Sequence, residues 1–221
     1  KKIIAILAAV LAFAPAAALA VEGHLKLDRA PIDPTDLASL QRGAHAFVNY
    51  CLTCHSAGYM RYNRLRDIGL SEELIRDNLV FTGVKVGDLM KTAMDPVEAK
   101  EWFGTAPPDL TVIARSRSSH DGPGSDWLYT YLRSFYRDDS RPTGWNNVIY
   151  PNDAMPHVMW RLQGEQVLKE AKELAEGYMR TVEKPVLDRP GTLKPNEFDA
   201  LVADLVNYMT YMSEPARHDR V

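Results

Sequence analysis

Cysteine is almost missing from these 221 residues: there are two, Cys51 and Cys54. That scarcity excludes a disulfide framework, and a structural zinc site would have to draw its remaining ligands from scattered histidines. Basic residues form no tract, with 26 Lys and Arg against 29 Asp and Glu, so nothing suggests nucleic acid as a partner. The acidic residues form no run long enough for a disordered tail. Internal repeats are absent, strand signals are weak, and no apolar span follows Pro215. The chain has one long apolar run, at residues 3–14.

The two cysteines stand in Cys51-Leu52-Thr53-Cys54-His55. C-x-x-C-H is the attachment signature of a c-type haem. Two thiols at this spacing can each add to a vinyl group on one haem edge, and the imidazole beside them can reach the iron. A thioredoxin-like redox pair would want a βαβ context and gives His55 no task. A disulfide across so short a loop removes little chain entropy and also leaves His55 unexplained.

The start of the chain agrees with this reading. Lys1-Lys2, the apolar run and the small-residue end Ala18-Leu19-Ala20 read as a secretory signal peptide over residues 1–20, with an uncleaved anchor as the alternative. Covalent haem attachment takes place outside the bacterial inner membrane, so leader and motif support each other. Loss of two lysines with the leader brings the net charge from −3 to about −5. An acidic surface, with Asp138 and Asp139 as candidates, would attract a basic redox partner; ordinary solvated charge accounts for the balance equally well.

Residues 21–213 suffice for one domain. Asp33-Pro34 predicts the start of a helix whose Leu37, Leu40, Ala44, Phe47, Val48 and Cys51 share a face and lead into the haem motif. A second helix, with Asn196 as its cap, carries Phe198, Leu201, Val202, Leu205, Tyr208, Met209 and Met212 on one face. Resemblance to small c-type cytochromes, which cross their terminal helices through a glycine and aromatic contact, implies that role for Gly43 and Phe47 against Tyr208; a generic helix pair in a core is the alternative. Short helices are predicted at 71–80, 95–103, 126–135 and 163–176, separated by loops rich in proline and glycine. The expected class is mainly α, a cytochrome c-like haem domain with long loop insertions and little β.

The haem face opposite His55 decides between electron transfer and ligand chemistry. Met155 is the leading candidate, because Tyr150-Pro151-Asn152-Asp153-Ala154-Met155-Pro156 is a rigid non-helical loop; Met159 is its main rival. Met60 follows His55 too closely, and the other methionines have packing roles. His157 and His120 are weaker alternatives. Arg115 and Arg117 are candidates to bond haem propionates, with two solvated arginines as an equal alternative from spacing alone.

Leu40-Gln41-Arg42-Gly43, Phe47-Val48-Asn49-Tyr50 running into the haem motif, and Tyr59-Met60-Arg61-Tyr62-Asn63-Arg64-Leu65 form an ordered set with four later stretches. These are Trp102-Phe103-Gly104, Pro107-Pro108-Asp109-Leu110, Asn152-Asp153-Ala154-Met155-Pro156-His157 and Leu205-Val206-Asn207-Tyr208. In this order they resemble the cytochrome c1 family, haem subunits of bacterial cytochrome bc1 complexes. The resemblance implies one covalent haem c, with Cys51 and Cys54 as thioether positions, His55 as proximal ligand and Met155 as distal ligand. It implies Arg117 as a propionate contact, Trp127 as an aromatic residue near a propionate, and Pro108 in a loop lining the haem pocket.

As partners the resemblance implies cytochrome b, a Rieske iron–sulfur protein that donates single electrons, and a soluble cytochrome c that accepts them. It places the chain in a dimeric quinol–cytochrome c reductase on the periplasmic face of the bacterial inner membrane. Members of the family continue into a C-terminal membrane helix, so residues 214–221 are expected to begin a segment leading to an anchor absent from this sequence. A free periplasmic electron shuttle is the alternative function. A haem peroxidase or ligand sensor needs an open iron position, against which Met155 argues.

Overall fold

A computed structural model describes residues 26–81, 84–175 and 177–216. The expected leader at 1–20 and the chain beyond residue 216 lie outside the described residues. Elements follow in the order α1 (Leu37–Tyr50), β1 (Ala57–Arg61), a 3₁₀ turn (Tyr62–Ile68), α2 (Glu72–Leu79), β2 (Leu89–Met90) and α3 (Pro96–Phe103). Then come α4 (Ile113–Ser116), α5 (Gly124–Arg133), β3 (Phe135–Arg137), β4 (Trp145–Asn147), α6 (Trp160–Gln163), β5 (Gly164–Ala175), β6 (Tyr178–Pro190) and α7 (Pro195–Ser213).

The frame is the crossing of α1 with α7. Leu40, Ala44, Phe47 and Val48 are buried on α1 against Phe198, Val202, Leu205, Tyr208, Met209 and Met212 of α7. Each such side chain contributes about 2 kcal/mol on leaving water. At the crossing, a Cβ on Gly43 would lie 2.0 Å from the carbonyl oxygen of Asp204 and 2.7 Å from Tyr208 Cβ. Phe47 meets Tyr208 with ring centroids 5.7 Å apart. Arg42 closes the flank through a bidentate pair with Asp204, at 2.6 and 3.0 Å. Gly43→Ala is therefore expected to cost about 3 kcal/mol, because the obstructing atoms are backbone and the helices must part. Gly87→Ala, with nothing within 4 Å of the added carbon, should stay within about 0.5 kcal/mol when both variants are compared by denaturant titration.

Both long helices start away from the expected caps. Thr35 satisfies Asp33 through its amide (2.8 Å) and hydroxyl (2.6 Å) in a local turn, so Asp36 becomes the cap of α1 and accepts from Ser39 N. On α7, Pro195 occupies the first turn and Glu197 reaches back to the Lys194 amide at 2.9 Å, so Lys194 rather than Asn196 is the cap position. The short helices at 71–80, 95–103 and 126–135 form as α2, α3 and α5, within one to two residues at their ends.

A mainly α class with little β does not hold. Among the described residues there are three two-stranded antiparallel sheets, and within the stretch 163–176, read as a helix, Gly164–Ala175 forms β5 of a long hairpin with β6. Glu, Lys, Ala and Leu in this stretch favour a helix locally, but their strand partners lie beyond Gly177 at the turn (φ 85°). Cross-strand and tertiary bonds override propensity. Glu173 meets Lys184 and Lys26, each at 3.3 Å. Gln166 Nε2 donates to the carbonyls of Arg133 and Phe135 at 2.9 and 2.8 Å. Among the described residues no helix is long and apolar enough to cross a membrane.

Candidate functional site

Helix α1 delivers the haem motif as a continuation of its own last turn. Cys51 N donates to Phe47 O at 2.9 Å, and His55 N to Cys51 O at 2.9 Å, so Cys51, Cys54 and His55 lie three and four residues apart on one side. Both cysteines are free; Cys51 is buried and Cys54 half-buried. Burial pushes the Cys51 thiol up to about 12 and raises Cys54 as well, so neither is a thiolate of the reactive kind.

His55 Nδ1 lies 2.8 Å from the carbonyl oxygen of Pro108. A carbonyl can only accept, so Nδ1 carries the proton and Nε2 keeps its lone pair. Burial lowers the imidazole pKa, opposed by the Pro108 bond. The neutral form is thus the one presented to the cavity. The Pro107-Pro108 loop is itself held to β1 and the residue before it: Asp109 accepts from Gly58 N at 2.6 Å, and Leu110 N donates to Ser56 O at 2.8 Å.

A second set of bonds fixes the Met155 loop. Asn147 Oδ1 accepts from Ile149 N and Tyr150 N, and Asn147 Nδ2 donates to Tyr131 O at 2.9 Å. Asn152, at φ 65°, donates its amide to Asn146 Oδ1 at 2.8 Å. Asp153 Oδ1 accepts from Met155 N at 3.0 Å, while its Oδ2 accepts from the Tyr131 hydroxyl. The same hydroxyl oxygen is 3.3 Å from Met155 Sδ. Burial and then Asp153 push the Tyr131 pKa well above the ordinary tyrosine range, so this phenol keeps its proton.

Tyr131 stacks on Trp127, with centroids 4.7 Å apart and planes 14° from parallel. The Arg117 guanidinium lies over Trp127 at 4.4 Å and near Tyr150 at 5.3 Å. It makes no ion pair with any described residue.

The seven residues for which the resemblance implies a place at the haem, Cys51, Cys54, His55, Pro108, Arg117, Trp127 and Met155, line one cavity of about 330 Å³. The rest of its wall is largely apolar, from Tyr50, Leu110, Ile113, Leu128, Leu132, Val158 and Met209. Met159 does not line it; at 2% exposure it belongs to the core. Arg115 is exposed and stands outside. His157 packs flat on Phe135 at 5.0 Å with Trp145 at its edge, and burial lowers its pKa to about 4. His120 lies 3.4 Å from Asp121. Asp138 is occupied in a turn, accepting from Ser140 and Asn146. Tyr131 and Asp153 also line the cavity and were not anticipated, although Asp153 and Met155 show the two-residue spacing of a side-chain turn.

This donor set fits haem c. Two free thiols, an imidazole with Nε2 unprotonated, a thioether and an arginine without a carboxylate partner among the described residues converge on an apolar cavity. Among the described residues no group of three or more His, Cys, Asp or Glu side chains is arranged to hold a metal ion.

Comparison with known proteins agrees. The model of the Cytochrome C1 family matches residues 28–221. The chain is 48% identical over 216 residues to cytochrome c1 of Allochromatium vinosum, covering 97% of this chain and 86% of that protein. It is 55% identical over 192 residues to a protein of Nitrosomonas europaea named ammonia monooxygenase gamma subunit, covering 87% and 75% respectively. Cytochrome c1 of Rhodospirillum rubrum is 24% identical over 211 residues, covering 81% of this chain and 70% of its own. The chain belongs to the cytochrome c1 family, and is an electron-transfer haem subunit with one covalently attached haem c.

Proposed function

We propose that this chain relays single electrons within a quinol–cytochrome c reductase, from a Rieske iron–sulfur protein to a soluble cytochrome c. The observation that carries the reading is the convergence of Cys51, Cys54, His55 and Met155 on one apolar cavity. When bound, haem c supplies a one-electron ferric/ferrous couple. Cys51 and Cys54 hold its edge covalently. His55 offers Nε2 to the iron, with the Pro108 carbonyl fixing ring orientation and tautomer. Met155 would hold the iron through its thioether, which would favour the reduced state and keep oxygen and peroxide from the iron. Arg117 binds a propionate through charge-assisted bonds while stacked on Trp127, which walls the pocket. The chain sits on the periplasmic face of the inner membrane in a dimeric complex with cytochrome b, held by a C-terminal anchor.

The name of the Nitrosomonas europaea relative, at 55% identity, supports a second reading: the same relay serving a monooxygenase assembly. One experiment separates these readings. A tagged full-length chain, purified with its partners in mild detergent, should bring down cytochrome b and an iron–sulfur protein and reduce cytochrome c at the expense of quinol, sensitive to antimycin. Recovery with monooxygenase subunits and no quinol-dependent activity would favour the second reading. A clean haem protein without partners or activity would return the assignment to a free shuttle.

A further inference from the structure

Asp153 is buried at the cavity and makes no ion pair with any described residue. Its two oxygens are held by two donors instead, the Met155 amide at 3.0 Å and the Tyr131 hydroxyl. A phenol has one proton to give. A carboxylate oxygen competes for it far better than a thioether, so the proton lies toward Asp153 and Met155 Sδ rests against the hydroxyl oxygen at 3.3 Å. Carboxylate, phenol and thioether form one chain with Tyr131 in the middle. Stacking on Trp127 and the Asn147 bond to its backbone fix where the phenol stands.

We propose that Tyr131 is a positioning residue that screens the buried Asp153 charge from the haem and fixes the Met155 sulfur, so that the Tyr131–Asp153 pair sets the reduction potential. The proposal rests on the reading of Met155 as the distal ligand. An anion in a low-dielectric site stabilises ferric over ferrous iron, and a hydrogen bond to that anion draws charge away from the iron. Removing the hydroxyl exposes the charge; replacing the carboxylate by an amide of the same shape removes it. Changes at the two ends of one hydrogen bond must then shift the potential in opposite directions. If the pair served only to hold the loop, either change would loosen Met155 and shift the potential the same way.

The test is redox titration of the full-length, haem-loaded protein as wild type, Tyr131→Phe and Asp153→Asn. Ligation is read from the thioether-to-iron charge-transfer band and from carbon monoxide binding to the reduced form. Both variants should keep the band and bind no carbon monoxide. Tyr131→Phe should lower the potential by up to a tenfold change in the ferrous/ferric ratio, about 59 mV for one electron, and Asp153→Asn should raise it comparably. Shifts of the same sign, or no shift in either variant, would overturn the proposal. Met155→Leu, titrated alongside, separates the two levels. If it keeps the thioether band, the distal assignment itself is wrong and the proposal falls with it.

Discussion

Met155→Leu will open the iron: the reduced variant will bind carbon monoxide, lose the thioether band and titrate at a lower potential. Leucine matches methionine in volume and keeps the cavity wall, so the loop bonds of Asn147, Asn152 and Asp153 remain. Only the donor atom goes. A preference of the thioether for ferrous iron of at least tenfold corresponds to a fall of at least about 59 mV. Met159→Leu provides the contrast. Met159 packs in the core away from the cavity, so the swap should cost under about 1.5 kcal/mol and leave ligation and potential unchanged. Loss of the band in the Met159 variant alone would exchange the roles of the two methionines.

The double variant Cys51→Ala, Cys54→Ala is expected to carry no haem that survives denaturation, read as loss of haem stain on a denaturing gel. Its second consequence is on stability. The cavity between α1, α5 and the Met155 loop is about 330 Å³ and mostly apolar. Left unfilled, its apolar lining would lose the packing that the cofactor supplies, and stability would fall. The double variant should therefore accumulate poorly and expose apolar surface to a dye such as ANS. Normal accumulation with haem retained through denaturation would contradict the covalent assignment to these two thiols.

Local chemistry was legible where one short segment carries all of it. Cys51, Cys54 and His55 need only a helical turn to share a side, and α1 supplies that turn from its own periodicity. The Gly43 and Tyr208 crossing was legible too, since a missing side chain in an apolar stripe marks a place of close approach. The hairpin of β5 and β6 was not. Its residues favour a helix one at a time, and the bonds that decide otherwise run to Lys26, Arg133, Phe135 and Lys184, far apart in sequence. The caps of α1 and α7 were missed for a smaller reason of the same kind. Each depends on which nearby group is already occupied, the Asp33 carboxylate by Thr35 in one case and the Lys194 backbone amide by Glu197 in the other.

By itself, then, the sequence determined the cofactor class and the two helix faces that cross behind the C-x-x-C-H segment, because each follows from spacing within one segment or from a periodic face. Tertiary structure decided which loop closes on the cavity. Met155 and Met159 are four residues apart, and only the network of Asn146, Asn147 and Asp153 turns the first toward the cavity and leaves the second in the core. It also decided that Tyr131 stands between a buried carboxylate and a thioether, a juxtaposition of α5 with a loop that begins after β4. Such contacts are set by how elements pack, and no local pattern of residues encodes them.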